Sequence, residues 1–317
     1  MPSFRSRLVV FMLKNGPRLQ FGRQGSGVFD ANYIQEFRRK VDHPPKLFGK
    51  PPKHIEIEPI QIGELYAEWL RPTGTPHERV LLYFHGGGYV SGTCAAHRMH
   101  VAKVVDGSGL PALVFQYRLA PEHPYPAALE DALAAYRWLL GQGTDAARIA
   151  FMGDSAGAGL CLATLLAIRD QALPFPAGAV ALSPWTDLAC TGESYQTRQA
   201  LDPVTPIDSW TVFSQSYVAD NDPTLPWISP LYGNLHDLPP LRMYVGEYEV
   251  MHDDSVRFAA KAQAAGVDVR LTVGEKMIHC YPICAPLFPE ATAALAEICA
   301  FLRARVSDQP ERAPVAV

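Results

Sequence analysis

The chain has 317 residues, a formal net charge of −4 and 19% charged residues. This size suits one α/β domain with an insertion or cap. The absence of a basic block argues against nucleic-acid binding, and the absence of an acidic tail argues against a solvated interaction arm. The apolar run at residues 8–13 is too short for a signal-peptide core or a bilayer span, so we expect a cytoplasmic protein without a transmembrane segment.

The six cysteines are scattered along the chain and show no C-x-x-C spacing. Cys280 and Cys284 lie four residues apart, but no second pair of metal ligands is close to them in the sequence. Free thiols in a reducing compartment are therefore expected instead of a zinc site.

The first 50 residues mix short helical patterns with basic and proline-rich pieces, which predicts a peripheral N-terminal cap segment at residues 1–50. Alternating apolar and polar residues at 54–58 and 65–69 then predict a pair of edge strands. Runs rich in apolar residues predict further strands along the chain. These runs span residues 80–84, 112–117, 149–152, 177–182, 241–245 and 269–273.

Helix-forming segments lie between the predicted strands. Pro126 marks the start of one helix and Gly141 its end, and Gly266 closes another. The predicted helices span residues 95–106, 127–140, 255–265 and 290–305, and a further one runs from Leu160. Strands that alternate with helices predict an α/β fold, with a mostly parallel sheet covered by helices on both faces.

One stretch interrupts this alternation. Residues 187–226 are polar, aromatic and proline-rich and contain no predicted strand. An insertion of this size usually forms a lid or a binding element, so we predict a cap insertion within a catalytic domain that spans residues 51–306. The tail at residues 307–317 is rich in proline and charge, which predicts disorder.

Residues 153–157 read Gly-Asp-Ser-Ala-Gly and lie between a buried strand and a helix-forming segment. In this context the pattern G-x-S-x-G is typical of a nucleophile on a sharp strand-to-helix turn. Gly153 and Gly157 leave room where a side chain would collide with the turn. Because an ordinary glycine-rich turn fits the same residues, the assignment of Ser155 as the nucleophile depends on its partners.

The segment at residues 85–89 reads His-Gly-Gly-Gly-Tyr and directly follows the strand predicted at 80–84. Acyl transfer develops negative charge on an oxygen, and glycine backbone N–H groups can approach such an oxygen closely. We predict an oxyanion hole formed by the N–H groups of Gly87, Gly88 and Ala156. A phosphate loop is the alternative, but no Gly-Lys-Ser/Thr follows.

A serine hydroxyl needs a base, and on this fold the chain order is serine, acid, histidine. His279 lies on a loop six residues past the last predicted strand, at the edge of the sheet where ligands gather. We therefore predict His279 as the base. His252 is the alternative, although it also fits a plain surface residue.

Four carboxylates that could orient the base follow the strand predicted at 241–245, namely Glu247, Glu249, Asp253 and Asp254. Glu247 comes immediately after the strand, and either aspartate suits the N-cap of the following helix. Glu249 falls in the middle of the loop, where it can reach the imidazole N–H. We predict Glu249 as the acid, with Asp253 as the alternative.

Five segments that carry chemistry occur in one order along the chain. They are His-Gly-Gly-Gly at 85–88, Tyr-Arg-Leu-Ala-Pro-Glu-His-Pro at 117–124, Gly-Asp-Ser-Ala-Gly at 153–157, Ser-Pro-Trp-Thr-Asp at 183–187, and His279 with its aromatic neighbour Tyr281. Together they resemble the hormone-sensitive-lipase group of α/β-hydrolase esterases, also called bacterial family IV. The resemblance covers roughly residues 54–305.

This resemblance implies an eight-stranded hydrolase sheet and a small helical cap built from the N-terminal segment and the insertion. It also implies carboxylesterase activity on short- to medium-chain acyl esters without a metal or organic cofactor, and a homodimer. In such enzymes residues 117–126 brace the active-site floor. An amidase, deacetylase or lactonase on the same fold is the alternative function. A non-catalytic small-molecule receptor is more remote, because both Ser155 and His279 are present.

The chain departs from the family pattern at two places. The family commonly has Asp-Pro-Leu where this chain has Glu-Val-Met at 249–251, and His-Gly-Phe where it has His-Cys-Tyr at 279–281. Cys280, beside the predicted base, would narrow the pocket. The candidates for the pocket wall are Tyr89, Asp154, Trp185, Trp210 and Tyr281, with Phe213 and Tyr217 as further aromatic residues that core packing would explain equally well.

Overall fold

The computed structural model describes residues 1–16, 31–42, 51–205 and 208–306. An eight-stranded sheet forms its centre, in the order β1-β2-β4-β3-β5-β6-β7-β8. The strands are β1 (Ile55–Ile62), β2 (Leu65–Pro72), β3 (Val80–Phe84), β4 (Ala112–Phe115), β5 (Ile149–Asp154), β6 (Gly178–Leu182), β7 (Leu241–Gly246) and β8 (Val269–Gly274).

The helices of the described residues lie between and around these strands. They are α1 (Phe4–Asn15), α2 (Ala31–Val41), α3 (Cys94–Ser108), α4 (Ala127–Gly141), α5 (Ala156–Asp170), α6 (Ser194–Thr197), α7 (Ser209–Val218), α8 (His252–Ala264) and α9 (Pro289–Arg305). None of the helices in the described part of the chain is long and apolar enough to cross a bilayer.

The sheet is mostly parallel, as the sequence predicts. β2 pairs antiparallel with β1 and with β4, and the strands from β4 across to β8 pair in parallel. β3, β5 and β6 are buried along their whole length, which explains why their sequences are continuous apolar runs instead of alternating ones. One core cluster contains residues of α4, α5 and α8, and a second contains residues of α3 and α9. The α/β prediction is confirmed.

Several predicted boundaries differ from the structure, and the differences at β4, α5 and α8 bear on the site. β4 ends at Phe115 because Tyr117 turns away to donate a hydrogen bond to the carbonyl of His85 at 2.8 Å. α5 begins at Ala156, four residues before Leu160, because the chain reverses at once after β5. α8 begins at His252 and includes both aspartates in its first turn, so neither is its N-cap.

The aspartates of α8 bind the insertion instead. The carboxylate of Asp254 accepts the N–H groups of Thr186 and Asp187, both at 2.8 Å, and Asp253 accepts the N–H of Ser194 at 2.9 Å. The described part of 187–226 contains α6 and α7 and no strand, as the sequence predicts. Side chains that could have capped their own helix therefore fix the path of the insertion.

The two helices of the N-terminal segment pack at different places. The N-cap residue of α1, Ser3, donates its hydroxyl to Glu290 Oε2 at 2.9 Å, so this helix lies against α9. In α2, Phe37 packs on Phe213 of α7, with ring centroids 4.8 Å apart. Residues 17–30 and 43–50, and the predicted disordered tail at 307–317, lie outside the described residues.

The helix α5 approaches the sheet closely at Gly157. A Cβ at this position would lie 2.3 Å from the carbonyl oxygens of Phe84 and His85, at the end of β3. Real Cβ atoms do not approach backbone so closely, so only glycine allows α5 to start where it does.

We expect Gly157→Ala to lower the free energy of unfolding by about 1–3 kcal/mol, because a methyl group must displace backbone at the end of β3. Gly141→Ala is the matched control, since a Cβ there meets nothing within 4 Å. Its effect should be neutral or slightly stabilising. Urea unfolding of both variants tests this, and equal midpoints would contradict it.

Candidate active site

Ser155 lies at the turn between β5 and α5, with φ 55° and ψ −125°. A positive φ is unfavourable for serine and persists only where surrounding contacts enforce it. Its N–H donates to the carbonyl of Leu182 at 2.8 Å, and its carbonyl accepts the N–H groups of Gly159 at 3.1 Å and Trp185 at 3.2 Å. Backbone hydrogen bonds to two neighbouring segments thus hold the strained residue in place.

The glycine loop lies directly after β3. Gly87 and Gly88 both have positive φ, 126° and 65°. A Cβ on Gly88 would lie 2.6 Å from Phe213 Cδ2, and one on Gly87 would lie 2.2 Å from the carbonyl of Ser91. The loop conformation therefore requires glycine at both positions.

Asp154, beside Ser155 in the sequence, is a buried carboxylate that holds the start of this loop. Its Oδ1 accepts the N–H of Gly86 at 3.1 Å and the hydroxyl of Tyr83 at 2.7 Å. Burial raises the pKa of Asp154, but the nearby His97 and His100 outweigh burial and lower it below its usual value. The carboxylate is thus ionised, and it fixes the loop relative to β5.

His279 and Glu249 are in direct contact. His279 Nδ1 lies 2.6 Å from Glu249 Oε2, although the residues belong to the loops after β8 and β7. Glu249 is fully buried, and its Oε1 accepts the hydroxyl of Ser183 at 2.8 Å and the N–H of Gly246. This arrangement fixes the orientation of the imidazole and leaves Nε2 as the ring nitrogen available for proton transfer.

The pKa of the His279 imidazole is set by opposing effects. Burial lowers it, but the neighbouring Cys280 and Glu249 side chains outweigh burial and raise the pKa well above its usual value. Burial raises the pKa of the Cys280 thiol itself.

The alternative acid, Asp253, faces the insertion. Its Oδ2 accepts the N–H of Ser194, and its Oδ1 lies 3.1 Å from Nδ1 of His252, the alternative base. The structure therefore brings His252 and Asp253 together with each other, and brings Glu249 together with His279.

Ser155, His279, Gly87 and Gly88 line one cavity of about 260 Å³. Of the predicted wall residues, Asp154, Trp185 and Trp210 also line it. Other lining residues are Phe37, Phe213, His97 and Cys280. The cavity thus combines an apolar wall, which includes four Phe and Trp side chains, with a few polar groups beside Ser155.

Two other predicted wall residues, both in the described part of the chain, do not line this cavity. Tyr89 is buried and stacks on Tyr217 with ring centroids 3.8 Å apart, which makes it a support behind the wall. Tyr281 is buried and lines a different cavity, beside Tyr244 and Glu297. Packing between elements, which local sequence does not reveal, keeps both rings out of the lining of this cavity.

Two residues of the site have contacts that the sequence analysis did not predict. Ser183 has a positive φ of 46°, donates to Glu249 and accepts the N–H of Cys280 at 2.9 Å. Its position at the end of β6 was the available signal. His97 lines the cavity beside Asp154, and its spacing to His100, which places both on one helix face, was a second signal.

The predicted bracing segment contacts the glycine loop. Tyr117 stacks on His85 with ring centroids 4.1 Å apart and donates its hydroxyl to the His85 carbonyl at 2.8 Å. Burial, followed by the nearby His97, lowers the pKa of His85 to about 3. A neutral, stacked imidazole thus supports the loop from behind.

A family model described as alpha/beta hydrolase fold matches residues 81–283 of this chain. An acetyl-hydrolase of Streptomyces hygroscopicus is 41% identical over 273 residues, which is 85% of this chain and 90% of the relative.

Two solved structures are similar over nearly the whole chain. EstE5, in a crystal soaked with p-nitrophenyl butyrate, has 38% identity and a TM-score of 0.87 and covers 96% of this chain and 99% of its own. An esterase from the bacterial hormone-sensitive lipase (HSL) family has 36% identity and a TM-score of 0.85. The match covers 97% of this chain and 100% of the esterase.

We expect Glu249→Gln to lower the pKa of His279, because the substitution removes the negative charge that stabilises the imidazolium. Matched controls are Glu247→Gln, in the same loop, and Asp253→Asn, at the alternative acid; both should leave this pKa unchanged. NMR titration of the imidazole Cε1 proton measures it. If the pKa of His279 fell in Asp253→Asn alone, Asp253 and not Glu249 would be the acid.

Proposed function

Because the chain belongs to the bacterial hormone-sensitive-lipase family of α/β-hydrolase esterases, we propose that it hydrolyses carboxylic esters through Ser155, His279 and Glu249. The observation that carries this proposal is the 2.6 Å contact between His279 and Glu249 at the cavity that Ser155 lines. A hydroxyl, an imidazole and a buried carboxylate are the three groups that acyl transfer to serine requires.

In the acylation step, Ser155 Oγ attacks the ester carbonyl carbon while His279 Nε2 accepts the hydroxyl proton. Glu249 stabilises the imidazolium that forms. His279 then gives this proton to the leaving alkoxide as the bond between carbonyl carbon and alcohol oxygen breaks. The alcohol departs, and the acyl group stays on Ser155.

In the deacylation step, His279 accepts a proton from water as the water oxygen attacks the acyl carbon. The tetrahedral intermediate collapses, the proton passes to Ser155 Oγ, and the acid leaves. The chemistry uses only groups of the chain and water.

The negative oxygen of each tetrahedral intermediate is stabilised by the N–H groups of Gly87, Gly88 and Ala156. Each donor of this kind contributes about 3 kcal/mol to barrier reduction. The positive φ of the two glycines and the anchoring of Gly86 on Asp154 support this role, since they hold the loop rigid before substrate binds.

The substrates we propose are esters with short acyl chains. A cavity of about 260 Å³ is at the low end for a small-molecule site and leaves little room for a long chain. The names of the relatives support the same class, because one is an acetyl-hydrolase and another was soaked with a butyrate ester.

The cap that closes this cavity is, in our proposal, α2 together with the insertion at 187–226. Tyr33 and Phe37 of α2 pack against Phe213 of α7, with ring centroids 6.1 and 4.8 Å apart. Phe213 in turn lies over Gly88. Because α1 packs against α9 instead, we assign α2 and not α1 to the cap among the described residues of the N-terminal segment.

We expect Ser155→Ala to lower kcat/KM for p-nitrophenyl acetate by at least about 10⁴-fold while the fold is retained by circular dichroism. Ser3→Ala, which removes a hydroxyl at the start of α1, should remain near the wild-type rate. Near-native turnover by Ser155→Ala would rule out the mechanism. Equal wild-type rates on a matched anilide or lactone would favour the amidase or lactonase alternative.

We expect Trp210→Ala to raise the ratio of kcat/KM for octanoate over butyrate esters by about 10-fold or more, because the removed indole leaves room for additional methylene groups. Trp227→Ala is the matched control, since the Trp227 indole donates to Asp170 Oδ2 at 3.0 Å and does not line the cavity. An equal ratio in both variants would show that Trp210 does not limit chain length.

A further inference from the structure

Two histidines on one face of α3 point toward the carboxylate beside Ser155. His97 and His100 are three residues apart, so they lie on the same side of the helix. His97 Nε2 lies 3.9 Å from Asp154 Oδ2, and His100 Nε2 lies 4.0 Å from Asp154 Oδ1. One ligand atom from each of the three side chains falls within 4.8 Å of the others. The side chains of His97 and Asp154 are each less than one-tenth exposed.

The hydrogen bond on the other ring nitrogen of His97 orients the lone pair of Nε2. His97 Nδ1 lies 3.0 Å from the carbonyl oxygen of Thr93, which can only accept, so Nδ1 carries a proton. In the neutral ring, Nε2 therefore has a lone pair directed at Asp154 Oδ2. Two electron-rich atoms face each other at a distance too long for a hydrogen bond, and a positive species between them would satisfy both.

We propose that His97, His100 and Asp154 form a binding site for a divalent cation of the Zn²⁺ type, and that its occupation inhibits ester hydrolysis. Two imidazoles and one carboxylate are a ligand set that zinc accepts, with the fourth position left to water. The binding part of this proposal is independent of the proposed function, and only the inhibition depends on it.

The geometry requires a small adjustment to hold such an ion. Ligand atoms of a tetrahedral zinc site are about 3.4 Å apart, so the 3.9 Å separation of His97 and Asp154 must close by about half an ångström. His100 must also exchange its contact with the Tyr83 hydroxyl, at 3.0 Å, for the ion. Tyr83 still donates to Asp154 Oδ1, an outer contact of the kind that orients a ligating carboxylate.

Inhibition follows from the position of the site. His97 and Asp154 line the same cavity as Ser155, so the open coordination position of the ion and its water face the space that the ester needs. Asp154 also holds the N–H of Gly86, at the start of the predicted oxyanion loop. An ion that draws this carboxylate toward α3 would displace the loop as well.

The test is a titration of the full-length protein with Zn²⁺ by calorimetry and with Co²⁺ by visible absorption, in parallel with the esterase rate. We expect one ion per chain, the d–d bands of a low-coordinate Co²⁺ site, and inhibition that follows occupancy and is reversed by a chelator. His97→Gln and His100→Gln should each weaken binding by at least about 100-fold, because loss of even an outer partner costs about 10–100-fold.

The controls separate this site from other ligands. His123→Asn, at an exposed histidine, should bind the ions as the wild type does. Cys280→Ser tests the thiol that lines the same cavity beside His279. Failure of the wild type to bind either ion would overturn the proposal, as would unchanged binding in both histidine variants or binding lost only in Cys280→Ser. If the ion bound without inhibiting ester hydrolysis, the binding site would be supported and the proposed inhibition would be wrong.

Discussion

The site depends on the buried carboxylate of Glu249. A carboxylate that is removed from water must be hydrogen-bonded, and Glu249 meets this requirement with donors from three segments: Ser183 after β6, Gly246 at the end of β7 and His279 after β8. Because Ser183 also accepts the N–H of Cys280, the three loops form one network around a single charge. The imidazole is oriented by this network and has little freedom of its own.

A second buried carboxylate, that of Asp154, also joins separate segments of the site by hydrogen bonds. Asp154 connects β5 to the glycine loop through Gly86 and to β3 through Tyr83. The two networks differ in one respect. Glu249 accepts short hydrogen bonds from Ser183, Gly246 and His279, whereas His97 Nε2 lies 3.9 Å from Asp154 Oδ2, too far for a hydrogen bond. The base is therefore oriented by close hydrogen bonds, and the proposed cation site lies on the side of the glycine loop.

The cavity wall comes from segments outside the sheet and depends on a third carboxylate. Asp254 is buried and accepts two backbone N–H groups at the start of the insertion, and burial, followed by the nearby Asp187, raises its pKa well above the usual value. Arg257 donates to Asp187 at 2.9 Å and offsets part of this repulsion. With the insertion fixed in this way, Phe213 reaches over Gly88 and meets Phe37 of α2. The size of the cavity is thus set by contacts between the insertion and α2.

The sequence by itself determined the alternation of strands and helices, the strand-to-helix turn at Ser155 and the glycine loop after β3, because each depends on residues adjacent in the chain. The tertiary structure decided which carboxylate meets His279, since Glu249 and Asp253 differ little in local pattern but face different partners. It also decided that Tyr89 and Tyr281 do not line the cavity. Glu249 lies 30 positions from its partner His279 and 66 positions from its partner Ser183. Only the packing of complete elements brings residues so distant in sequence together.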